Sequence, residues 1–250
     1  MNSTAKRKRR VKESRGTTVA KWAIRVVMVL WAILVLYPLF WAVITSFKNT
    51  EQFMTDPWKF PSKWMFSNYA TAWVNASFAK YFFNSVYVTL GALALCLAMV
   101  STTSYIVAKY RHPVIRFAER FYALFMMAPQ VLLLIPLMYM LLKHDLTNLF
   151  MLMLLYAIQG VPFYVFLMTP FVRGISDSLL EAAQMDGANE FFVFLRIIVP
   201  MSLPAIFMVA LLSIVGSWNE YVMAITLIKE SSSYTLPAGI NDITTSSNYS

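Results

Sequence analysis

Five stretches of this chain run on without one Asp, Glu, Lys or Arg, and each is 22 residues or longer: 26–47, 81–108, 121–142, 146–172 and 197–219. A helix needs about 20 predominantly apolar residues to cross a hydrocarbon core about 30 Å thick. A charge at mid-bilayer costs about 2.5–3.5 kcal/mol on insertion scales, so charges bracket these stretches rather than interrupt them. Only 13% of the residues are charged, against about 25% in soluble domains. That is too little charge to clothe a soluble globule, and 59% hydrophobic residues exclude disorder. The pattern predicts an all-α polytopic membrane protein with five spanning helices. A basic leader occupies 1–25, a transmembrane domain 26–228 with its last span over 197–228, and a polar tail 229–250.

Prolines mark where these helices should bend, because proline removes a helix donor and clashes with the preceding turn. Pro129 and Pro136 fall in the third stretch, and Gly160 with Pro162 in the fourth. Such breaks either serve packing or line a pathway, since a water-lined cavity can satisfy the freed carbonyls.

Orientation follows from Lys and Arg, which stay on the cytoplasmic side. Fifteen of the 21 lie before the first span, between the second and third, or between the fourth and fifth. The N-terminus is therefore expected inside and the tail outside. The Lys6–Arg10 run, close before a first span, reads as a topology anchor that also attracts anionic lipid, not as a nucleic-acid patch. No short apolar core with a small-residue cleavage site marks a signal peptide.

Several chemistries have no residues to carry them. The seven glycines never stand five apart ahead of Lys and Ser or Thr, so no phosphate-binding loop exists and ATP cannot bind by that route. One Cys and two His exclude a disulfide framework and a zinc cluster. No cofactor is expected. Ionisable groups inside spans mark proton relays and ion-coupled carriers, yet only Glu220 comes near one. If this chain moves a solute, another polypeptide must supply the energy.

The connection over 173–196 does not read as a simple loop. It carries Asp177, Glu181, Asp186 and Glu190 against Arg173 and Arg196. Ser178 and Glu181 have capping-box spacing, Leu179, Leu180, Ala182, Ala183 and Met185 make a small apolar surface, and Gly187 suits a left-handed helix end. Asn189 then caps a second helix that runs through Ile197 towards Pro200. Interfacial helices favour basic polar faces. An acidic one points instead to a protein partner.

These residues resemble the EAA motif of ABC-importer permease subunits: Glu181-Ala182-Ala183, three residues, Gly187, nine residues, Ile197, one residue, Val199-Pro200, with Val199 in place of leucine. The likeness is specifically to the maltose-type, MalG-like sugar branch. It extends through Tyr37-Pro38-Leu39-Phe40-Trp41, Asn68-Tyr69, Tyr81-Phe82-Phe83-Asn84-Ser85, Ala128-Pro129-Gln130, Val161-Pro162-Phe163, Ser217-Trp218-Asn219-Glu220 and Thr235-Leu236-Pro237.

The resemblance implies a binding-protein-dependent transport component of the cell membrane without its own ATPase site. Its partners would be a second permease, a pair of cytoplasmic ABC ATPases and an extracytoplasmic solute-binding protein. Coupling to the ATPase would fall on Glu181, Ala182, Ala183, Asp186, Gly187, Ile197 and Pro200, passing a push into the fifth span. The family has a sixth span, and the polar residues after Pro237 cannot supply it. A truncated form of a longer permease is the expectation. Candidate solute contacts are Asn84, Thr89, Gln130, Gln159 and Asn219, though hydrogen bonding between helices explains each equally well. The aromatic segment between Lys48 and Lys80 is either an interfacial belt or a docking surface. A non-sugar solute such as a polyamine, or a membrane scaffold or lipid enzyme, are the alternative functions.

Overall fold

The computed structural model describes residues 15–74, 77–127 and 130–247, and among them every regular element is helical. The basic run at Lys6–Arg10 and the Ala128–Pro129 pair lie outside the described residues. The chain divides into two compact units that meet at Thr71 and Ala72.

In the first unit, α1 (Arg15–Ser46) is followed by α2 (Thr50–Thr55) and the start of α3 (Ser67–Val74). The segment after α1 folds around two aromatic rings. Phe47 packs against Trp64, Phe66 and Tyr69 with centroids 5.1–5.2 Å away, and Trp41 against Trp58 at 5.3 Å. Lys48 is buried, but its ammonium donates to the carbonyls of Pro57 at 2.7 Å and Asp56 at 3.2 Å. The aromatic residues are therefore the packing of a small folded cap, although Trp58, Phe60 and Phe66 keep most of their surface exposed.

The second unit is organised by α4 (Phe78–Lys109), 32 residues without a break. Val88, Ala92, Cys96, Val100 and Ser104 recur every fourth residue and are fully buried, so one stripe of α4 faces the interior. Around it pack α7 (Leu149–Gln159), α8 (Val161–Arg173) and α12 (Leu203–Asn219). Small side chains allow helices to approach closely where lipid removes the usual hydrophobic drive.

Two helices, Val19–Ser46 within α1 and α4, are long and apolar enough to cross a membrane by themselves, and three bent pairs bring the number to five if each pair is one span. α5 (Pro113–Met127) and α6 (Gln130–Lys143) are the candidate third pair, with axes 100° apart; Pro136 sits inside α6 without ending it. The fourth bends by 44° between α7 and α8. Pro162 cannot donate to the Ile158 carbonyl, which is taken instead by the Gly160 N–H.

The fifth crossing departs from the continuous helix expected over 197–228. α10 (Glu190–Val193) leads through a π-helical turn (Phe194–Ile198) into α11 (Val199–Met201), and the path then bends by 76° into α12. Pro200 and Pro204 each lack an amide donor, and between them the Ser202 N–H is shared by the Ile198 and Val199 carbonyls. After Glu220 a separate short helix, α13 (Val222–Leu227), begins. The stretch read as a polar tail is ordered as well, forming α14 (Leu236–Ser247) with Ala238 buried. Its polarity concealed this because its anchors are contacts with α4, more than 140 residues away in sequence.

Candidate functional site

The 173–196 connection folds as a helix, a turn and a second helix. α9 (Asp177–Met185) starts one residue before Ser178, with Ser176 in the extended cap position. The Ser178–Glu181 capping box therefore does not form: Ser178 Oγ lies 2.7 Å from Ser176 Oγ. Buried Ile175 sets the entry point, and Asp177 takes the first-turn place that the helix dipole favours for an acid.

The turn follows the sequence expectation. Gly187 has φ +88°, a conformation that costs an L-residue about 1–2 kcal/mol. The Ala188 N–H reaches back to the Ala183 carbonyl and the Gly187 N–H to that of Gln184, both at 3.0 Å, which is a Schellman closure. Asn189 caps α10 by accepting from the Phe192 N–H at 2.8 Å.

Leu180 and Val193 point inward and pin the loop, while Glu181, Ala182, Asp186 and Gly187 are exposed. Met185 is 88% exposed, and Ala183, Asp186, Gly187, Ala188, Asn189 and Phe192 frame a shallow recess. Among the described residues no side chain bonds or pairs with Glu181 or Asp186. Ile197 lies half-buried in the π turn and Pro200 is exposed on α11, both beyond the α9 turn.

Contacts that sequence spacing cannot disclose hold this loop. The Lys109 ammonium donates to the Asp177 carboxylate at 2.7 Å and to the Ile175 carbonyl. The Tyr105 hydroxyl donates to Glu190 at 2.7 Å, and the Gln184 amide to the other Glu190 oxygen at 2.9 Å. Hydrogen bonds from Tyr105 and Tyr110 hold the Glu190 carboxyl below its usual range, and the bond from Lys109 does the same for Asp177.

A polar cleft of about 250 Å³ opens where α7 meets α8 beside the end of α12, lined by Tyr156, Gln159, Phe163, Tyr164, Ser217 and Glu220 among others. Glu220 accepts the Tyr156 O–H at 2.7 Å and the backbone N–H groups of Met223 and Ala224 at 2.9 and 3.2 Å. One carboxylate thus starts α13 and braces α7.

Of the candidate solute contacts, only Gln159 lines this cleft. Asn219 is exposed and bonds back to the Val215 carbonyl at 2.9 Å. Asn84 donates to the Tyr234 carbonyl at 3.0 Å, and Thr89 is buried. Gln130 opens α6, and its side chain lies outside the described residues. Tyr156, Tyr164 and Ser217 are cleft residues that sequence reasoning missed; helical spacing from Gln159 and Gly160 could have pointed to Tyr156 and Tyr164, but Ser217 stands on another helix. No group of three metal-ligating side chains occurs among the described residues.

Bent helix pairs beside an unbroken α4, with a structured loop beyond them, define a polytopic helical membrane protein. The chain belongs to the family described as binding-protein-dependent transport system inner membrane component, whose sequence pattern matches residues 100–249. It is similar to the diacetylchitobiose uptake system permease protein NgcG of Streptomyces coelicolor, 31% identical over 85% of this chain and 71% of that protein. It is also similar to the probable ABC transporter permease protein YurM of Bacillus subtilis, 32% identical over 92% of this chain and 76% of that protein. Its fold matches a chain of a bacterial ABC transporter involved in import of the acidic polysaccharide alginate, with a TM-score of 0.78, 22% identity, and coverage of 92% of this chain and 81% of the other.

Proposed function

We propose that this chain is a permease subunit of an ATP-driven importer for a sugar or oligosaccharide, coupled through α9 and its turn to a separate ATPase. The observation that carries this reading is the exposed face of α9. It presents an unpaired Glu181 and Asp186 beside small and apolar side chains, on a chain with no phosphate-binding loop of its own. The alanines permit close approach, and an acid without a partner among the described residues suits a basic group across an interface. The uptake systems named for relatives such as NgcG support a saccharide as cargo. The cleft agrees with that class, since Tyr156, Phe163 and Tyr164 offer ring faces while Gln159, Ser217 and Glu220 offer hydroxyl partners.

In this arrangement a second permease completes the pathway, two ATPases sit in the cytoplasm, and a solute-binding protein delivers cargo from outside. The leader 1–25 and the 173–196 loop are cytoplasmic, and the segment after Lys229 is outside. The test is co-purification with the ATPase in detergent, together with uptake of labelled neutral disaccharides and labelled polyamine by the reconstituted assembly. Glu181→Lys and Gly187→Pro should still insert into membranes yet release the ATPase and abolish uptake. Retained ATPase in both variants would refute the docking assignment. Uptake of polyamine instead of saccharide would remove the sugar while leaving the coupling intact.

A further inference from the structure

The covalent path from the loop into the fifth crossing is jointed. It passes the π turn at Phe194–Ile198 and then the 76° bend ahead of α12. The path back into the fourth crossing meets the 44° bend at Gly160. A push entering either route is absorbed where the helix yields, since hinges are the positions that take up backbone change. α4 has no such joint. At 1.5 Å per residue its 32 residues span about 48 Å.

The loop is fastened to α4 at both of its ends. Lys109 and Tyr105, one turn apart on α4, hold Asp177 at the start of α9 and Glu190 at the start of α10. The Lys109 side chain is only 8% exposed, so its charge is committed to the loop rather than to water. Glu190 also accepts from Gln184, which joins α9, α10 and α4 through a single carboxylate. The opposite end of α4 is equally engaged. Ser85 accepts the Leu236 N–H at 2.7 Å, Asn84 donates to the Tyr234 carbonyl, and the Tyr81 hydroxyl donates to Asp242 at 3.2 Å.

We infer that α4, and not α12, carries the movement of the loop across the membrane, and that Tyr105, Lys109 and Glu190 are positioning residues for transport that make the loop and α4 one rigid body. Displacing the loop then shifts α4 lengthwise and repositions the 231–242 segment at its far end. The Pro and π joints let α12 stay behind. The inference rests on the proposed docking of an ATPase on α9, because that docking supplies the displacement.

The experiment places spin labels in the complete reconstituted transporter, with and without ATP and vanadate. One label replaces exposed Ser178 on α9; the other replaces either Phe83 on α4 or Phe207 on α12, both exposed. Cys96 is buried and stays unlabelled. The Ser178–Phe83 distance should hold constant on trapping while the Ser178–Phe207 distance shifts. In a Lys109→Met, Glu190→Gln double variant the Ser178–Phe83 distance should also shift, and in a Lys109→Asp, Asp177→Lys charge exchange it should again hold.

The opposite pattern in the unmodified chain, with Ser178–Phe207 constant, overturns the inference. So does a double variant that keeps the unmodified pattern, or an exchange that fails to restore it. Loss of the ATPase from the double variant also overturns it, by making these residues part of the docking surface. Retention of the ATPase by Glu181→Lys brings down the docking reading as well, which separates the two failures.

Discussion

Glu190 receives hydrogen bonds from Tyr105 and Gln184, and Asp177 receives one from Lys109. Each donor favours the ionised carboxylate, and both groups titrate below their usual range. Because the folded-state values are depressed, the stabilisation is complete above the ordinary carboxylate range of about 4 and is lost as pH falls through the lowered values. The loop should stay attached to α4 at neutral pH and detach only in strong acid. Reactivity of a cysteine at Ser178 measured across that range checks this, and in Lys109→Met the Asp177 step should move to higher pH. At this scale Gly187, Asn189 and the exposed acids are legible because their requirements are local: a positive φ, a cap, a charge without a neighbour. Tyr105, Lys109 and Tyr156 are not, since their partners stand 64–85 residues away.

The helices show the same division. Five apolar runs mark five candidate crossings, and Pro162 announces the bend in the fourth because its missing donor is a covalent fact. Pro162→Ala restores that donor to the Ile158 carbonyl, so α7 and α8 should straighten below 44° and the cleft beside Tyr156 and Tyr164 should narrow. Spin-label distances across Gly160 report the angle, and saccharide uptake should fall with it. The capping box at Ser178 fails for an instructive reason. Its spacing is correct, but buried Ile175 brings the chain into the helix early and gives Ser176 the cap position. The sharper bend before α12 needs two prolines and the π turn acting together, which no single residue advertises.

For the whole molecule, the distribution of Lys and Arg predicts the same side of the membrane for segments 1–25, 109–120 and 173–196, and the other side for 48–80. Labelling of single cysteines in these segments by a membrane-impermeant maleimide on intact cells checks the arrangement; labelling of the 173–196 segment from outside would overturn it. Hydrophobicity and charge alone determined that the chain is a helical membrane protein and which stretches are apolar enough to cross, because the cost of burying a charge in lipid depends on local composition. Only the tertiary structure decided that α4 is the unbroken centre of its unit, that Leu236–Ser247 form a helix against it, and that Glu190 and Lys109 lock the loop to its end. Each of those depends on side chains brought together across the chain, and their geometry exists only after the helices have packed.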